Sequence, residues 1–264
     1  MLRFGSSRTW RAIAVAWGLS LICLPTELIA GSVNSPGIVE GASRSKEPFG
    51  ISTAKVTTGA LLEKWLVVER EIDAERLVLK ICEENRATCR SQAALEFLAI
   101  VDSGRILDGR ARLGEINRAI NLKITRMSDL ALYGTEDFWS SPLATFAKGA
   151  GDCEDYAIAK FVALQEAGIS ADDLRVVILR DDIREEDHAV VAARLNGSWL
   201  MLDNLHMIMV EDQQVRDYYR PVFLIDRDGV KRYFGASSSS ERSRRYEPTV
   251  GQTILHQSVR FPTK

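Results

Sequence analysis

The chain lacks a charge excess. Its 34 Lys and Arg face 36 Asp and Glu, a net charge of -2, so nothing electrostatic points to nucleic acid or an acidic membrane surface as partner. It also shows no internal repeat, which leaves an ordinary globular organisation rather than a solenoid. The N-terminal apolar stretch from Ala12 to Cys23 falls short of the roughly 20 residues a bilayer span needs. Cysteine is scarce, with four in 264 residues. A chain of that length can bury one substantial core or two lobes.

The N-terminus reads as an export signal over 1–31. Arg3, Arg8 and Arg11 precede the apolar stretch, and Pro25 and the small residues around Ala30-Gly31-Ser32 offer a cleavage site. An uncleaved anchor is the alternative. No small residue directly precedes Cys23, which argues against a lipoprotein site. Removal of the signal leaves Cys82, Cys89 and Cys153, and an odd count in an oxidising compartment suggests one disulfide and one free thiol. Cys82 and Cys89 can close a small loop between two helices, leaving Cys153 free. Three buried thiols are the competing reading.

Residues 32–48 form a leader rich in Gly, Ser and Pro, and 236–264 a Ser/Arg-rich tail expected to be disordered. Between them, 49–235 reads as one domain. Helical periodicity runs from Gly59 to Leu122, with further helices expected over Ser91–Val101 and Leu113–Leu122. Tyr133 to Gly151 reads as a structured loop. Strands are expected over 174–179, 188–195, 198–203, 221–225 and 230–234. A helical N-terminal lobe on an antiparallel sheet is an α+β fold.

The chemistry concentrates on Cys153, His188 and Asp203. Asp152 is the expected N-cap and Gly168 the stop of a helix from Cys153 to Glu166. Cys153 then lies in the first turn, where free N–H groups and the helix dipole favour a thiolate and can stabilise an oxyanion. Asp152, Glu154 and Asp155 oppose this by like charge. Either they cap the helix, or a His188 imidazolium or a calcium ion neutralises them.

Asn196-Gly197 is a strong hairpin signal. A two-residue loop pairs Leu195 with Ser198, Ala193 with Leu200 and Val190 with Asp203. His188, Val190 and Asp203 then share one face, with His188 and Asp203 as diagonal neighbours about 7–8 Å apart, within side-chain reach. Ala189, Val191, Ala193, Leu195, Leu200 and Leu202 form an apolar opposite face that must be core. The same register turns Asp187 and His206 away, and His256 lies in the tail. A thiol with an imidazole and a carboxylate is the constellation of thiol proteases.

The run Gly151-Asp152-Cys153-Glu154-Asp155-Tyr156-Ala157-Ile158-Ala159-Lys160 resembles the signature of the bacterial transglutaminase-like cysteine proteinases, which include LapG-type periplasmic proteases. The resemblance extends to Asp187-His188-Ala189-Val190 and Leu202-Asp203-Asn204-Leu205. Upstream it takes in Asn117, Asn121, Asp129, Tyr133-Gly134, Asp137, Trp139 and Pro142, spanning about Phe49 to Phe234 in all. It implies a papain-like, transglutaminase-like fold, with Cys153 as nucleophile, His188 as general base and acid, and Asp203 orienting the imidazole. It further implies calcium held by Asp152, Glu154 and Asp155, and no organic cofactor. The substrate it implies is a large surface adhesin, and the partner an inner-membrane receptor for cyclic di-GMP. Trp139 is expected either to wall the cleft or to lie in the core.

Two readings compete with an exported cysteine endopeptidase. A transglutaminase or amidase would share the acyl-enzyme and differ only in the acceptor. A non-catalytic protein would keep the fold and use the acidic cluster to bind calcium or a partner.

Overall fold

A computed structural model describes residues 46–235. The expected signal, most of the leader, the tail and His256 lie outside them. In chain order the elements are β1 (Thr53–Lys55), α1 (Ala60–Glu84), α2 (Gln92–Arg105), α3 (Gly109–Lys123), β2 (Thr125–Arg126), α4 (Asp129–Tyr133), α5 (Pro142–Lys148), β3 (Ala150–Gly151), α6 (Cys153–Glu166), β4 (Leu174–Asp181), β5 (Glu186–Leu195), β6 (Ser198–Leu202), β7 (Val210–Glu211), α7 (Asp212–Val215), β8 (Tyr219–Asp226) and β9 (Gly229–Tyr233). Most of the helices precede the long strands of the sheet, and the fold is α+β.

The seven-stranded sheet runs β1-β9-β8-β4-β5-β6-β7, with antiparallel pairing throughout. β2 and β3 form a separate parallel pair. The hairpin register is the expected one: Leu195 faces Ser198, Ala193 faces Leu200, and Val191 faces Leu202. Asn196 and Gly197 both take positive φ, 52° and 85°, as a twisted two-residue turn requires.

α6 packs one sheet face against the helices. Ala189, Val191, Ala193, Leu200 and Leu202 join Trp65, Phe97, Ile116 and Ile158 in that core. The other face is also buried. Val190, Ala192 and Met201 pack there with Phe49, Trp199, Val215 and Tyr219. Every residue of α6 from Glu154 to Leu164 is buried, so this helix is enclosed on all sides. It ends in a Schellman cap: the N–H groups of Gly168 and Ile169 donate to Gln165 and Leu164 carbonyls, with Gly168 at φ 90°.

The segment expected as a structured loop between Tyr133 and Gly151 contains α5. Pro142 begins it, and Gly149 at φ 68° ends it. Its first turn is capped from α1, since the Glu75 carboxylate accepts from the Leu143 N–H and the Ser141 hydroxyl. A cap supplied from so far along the chain leaves no local signal, and two turns are too short for a periodicity. Cys82 and Cys89 form the expected disulfide between α1 and α2, and Cys153 is free.

Candidate active site

β3 ends at Gly151, and α6 begins two residues later at Cys153. Gly151 is required by close approach: a Cβ there would lie 2.5 Å from an Asp155 carboxylate oxygen. Asp152 occupies the N-cap position, but its side chain makes no capping bond. It accepts instead from the Asp129 N–H and shares a hydrogen bond with Glu154.

Cys153, His188, Asp152, Glu154 and Trp139 line one cleft of about 670 Å³. Trp139 fills both expected roles, since it walls this cleft and packs into the core. The Ala189 N–H donates to the Cys153 sulfur, so β5 abuts the start of α6 where His188 enters the sheet. His188 Nε2 lies 3.0 Å from Asp203 Oδ1, and both residues are buried. With Nε2 engaged by the carboxylate, Nδ1 is the nitrogen left for a thiol proton.

Asp203 is fully partnered. Oδ1 also accepts from the Leu205 N–H at 2.9 Å, and Oδ2 accepts from the Tyr219 hydroxyl at 2.7 Å. Burial works to raise its pKa, but the hydrogen bond and charge of His188 and the other two donors outweigh it and hold the carboxyl well below the usual range. Tyr219, in β8, was not a sequence candidate. It lies two strands away across the sheet from β5, and no local pattern marks it. Asp187 pairs with Arg180, and His206 is exposed.

The acidic residues behave differently. Burial first, then the Glu154 carboxylate and Asp152, push the Cys153 thiol well above its ordinary value. The thiol donates to Glu154 at 3.1 Å. The donors of the first helical turn do not outweigh these effects. Burial, followed by Glu154, raises Asp152 to about 8, and burial raises Asp155 to about 7.

The expected set Asp152, Glu154 and Asp155 does not converge as one group. Asp152 and Asp155 meet Asp129, each offering an oxygen within 4.8 Å of the others, whereas Glu154 groups with Asp152 and Cys153. Successive helical residues point some 100° apart, so Glu154 turns towards the thiol as Asp155 turns away. Asp129 Oδ1, Asp152 Oδ1 and Asp155 Oδ2 are buried without hydrogen-bond partners. The remaining oxygens of Asp129 and Asp155 accept from the Phe138 and Ser140 N–H groups. Three neighbouring carboxylates, each with an orphaned oxygen, fit a hard divalent cation.

The profile of the family described as "bacterial transglutaminase-like cysteine proteinase" matches residues 76–220, more than half of the chain. The chain belongs to this family. It is a cysteine proteinase, and its substrate is a protein. Calcium-bound LapG of Legionella pneumophila is similar to it with a TM-score of 0.50 at 23% identity, over 62% of this chain and 91% of that one. A second LapG structure from the same organism gives 0.49 at 22% identity, over 64% and 91%, and an EGTA-treated one gives 0.49 at 23%, over 60% and 84%. At such identities the likeness speaks for the fold, which is that of a transglutaminase-like proteinase. No curated protein matches the chain.

Proposed function

We propose that this proteinase is an exported endopeptidase working through Cys153, His188 and Asp203. The observation that carries the reading is the fully partnered His188–Asp203 pair lining the same cleft as a free thiol at a helix start. His188 takes the Cys153 proton as the sulfur attacks the scissile carbonyl, and the acyl-enzyme forms as the leaving amine accepts that proton. Asp203 fixes the ring's tautomer and stabilises the imidazolium. N–H groups of the first turn of α6 face the developing oxyanion. Water attacks the acyl-enzyme with His188 as base, releasing the acid and the free thiol.

Asp129, Asp152 and Asp155 would hold a calcium ion. When bound, the ion supplies positive charge that offsets the carboxylates beside the nucleophile. The orphaned oxygens support this assignment, as does the description of the Legionella protein as calcium-bound. The signal-like N-terminus supports export to the periplasm. Family resemblance supports a surface adhesin as substrate and an inner-membrane cyclic di-GMP receptor as regulator.

The test is the pH profile of alkylation at Cys153 in wild type and His188→Ala, with and without calcium. Rapid labelling well below pH 8.5, the approximate pKa of a free thiol, and its loss in the variant support the reading. An ordinary thiol profile in both proteins overturns it. Cys153→Ala must likewise lose cleavage of an adhesin segment exposed to the purified enzyme.

A further inference from the structure

The nucleophile helix carries a residue that the reaction above leaves unused. Lys160 is completely buried and, among the described residues, is the only buried Lys or Arg, against seven buried Asp and Glu. Burying an ammonium is costly, and a methionine of similar length would fill the space without that cost.

Its placement accounts for the charge. Lys160 follows Cys153 by seven residues, two helical turns, so the two share one stripe roughly 10 Å apart. Both reach the β5–β6 hairpin, Cys153 at the Ala189 N–H and Lys160 at the end of β6. Lys160 Nζ donates to the Leu202 carbonyl at 3.4 Å, and the next residue is Asp203. Burial lowers the Lys160 pKa to about 7, and the charge of Asp203 opposes that fall. From α3, Asn121 Nδ2 donates to the carbonyl of Asp203 itself at 2.8 Å. The peptide groups before and after the Asp203 Cα are thus each held by a side chain from a helix.

We propose that Lys160 is a positioning residue for Asp203, tying the carboxylate that orients His188 to the same helix that presents the thiol. A shift of one element then carries the other with it, and the spacing of nucleophile and base is preserved. The proposal rests on the Cys153–His188–Asp203 reading.

The test is a double-mutant cycle on the full chain, with the iodoacetamide labelling rate at Cys153 read by peptide mass spectrometry at pH 7. Near-UV circular dichroism reports folding. Lys160→Met is expected to slow labelling about tenfold, within the range that small misplacements cost. It should cause no further slowing in the Asp203→Asn background. Lys160→Gln, which keeps an N–H donor, should recover part of the rate. Equal slowing in both backgrounds overturns the proposal, as does an unchanged rate in Lys160→Met. If Lys160→Met does not fold, Lys160→Leu, which also removes the donor, is put through the same cycle and judged by the same two outcomes. If Asp203→Asn itself labels at the wild-type rate, the triad assignment fails and takes this proposal with it. If only the Lys160 arm fails, the triad stands.

Discussion

Two carboxylate sites flank the Cys153–His188 cleft, and they are built to opposite rules. Asp203, at the end of β6, accepts from His188, Leu205 and Tyr219, and its pKa is driven down. Asp129, Asp152 and Asp155, gathered before and within the first turn of α6, each keep a buried oxygen without a partner, and their pKa values are driven up. A buried carboxylate is stable as an anion only where donors or cations meet it. The first site is complete within the protein. The second keeps an unpartnered oxygen on each of its three carboxylates, which the proposed calcium ion would meet.

The largest effect expected from this contrast is at the complete site. Asp203→Asn should leave the fold intact and lower kcat by about 10⁴, by presenting the wrong imidazole tautomer. Steady-state cleavage kinetics read the change, and a loss of less than tenfold would remove Asp203 from its role.

At the proposed calcium site, Asp129→Asn and Asp155→Asn should each weaken calcium binding by at least about tenfold, the lower end of what losing even an outer-shell partner costs, measured by titration calorimetry. Calcium should raise the thermal midpoint of the wild type, with about 2.7 kcal/mol of stabilisation at a hundredfold excess over Kd. Asp129 is the sharper probe, because it stands outside the run around the cysteine. Unchanged affinity in Asp129→Asn would return the site to the expected set of Asp152, Glu154 and Asp155.

Tyr219→Phe takes one donor from Asp203 and leaves the ring. It should cost about 1.5–3 kcal/mol in the interaction, seen as roughly a tenfold or greater fall in kcat with KM little changed.

The contrast also sets the sign of the pH dependence of stability. Asp152 and Asp155 hold their protons to about 8 and 7 when folded and release them near 4 when unfolded. Their contribution therefore falls as pH rises from about 4 to 8 without metal. Asp203 has the opposite sign: its stabilisation is present above about pH 4 and is lost as pH falls through its lowered folded value. Thermal midpoints at pH 5 and 7 should converge when calcium is added. An equal gap with and without the ion would count against the cation site.

Much of this site was legible along the chain because its determinants are local. The start and end of α6 are written in Asp152-Cys153 and Gly168, and the Asn196-Gly197 turn sets the register that puts His188 and Asp203 on one face. The rest depends on long-range approach. Tyr219 meets Asp203 only because β8 folds against β4. Asp129 meets Asp152 and Asp155 only because β2 and β3 bring α4 beside the start of α6. The first turn of α5 is capped by Glu75 from a distant helix, and a short element with a remote cap leaves no periodicity to read.

By itself the sequence determined the helix that starts at Cys153, the hairpin register and the face that His188 and Asp203 share, since capping, turn chemistry and strand alternation act over a few residues. Tertiary structure alone decided which carboxylates are satisfied, which stand open to a cation, and that Lys160 is buried beneath Asp203. Burial and partnering depend on what packs against a side chain, and those neighbours come from distant parts of the chain.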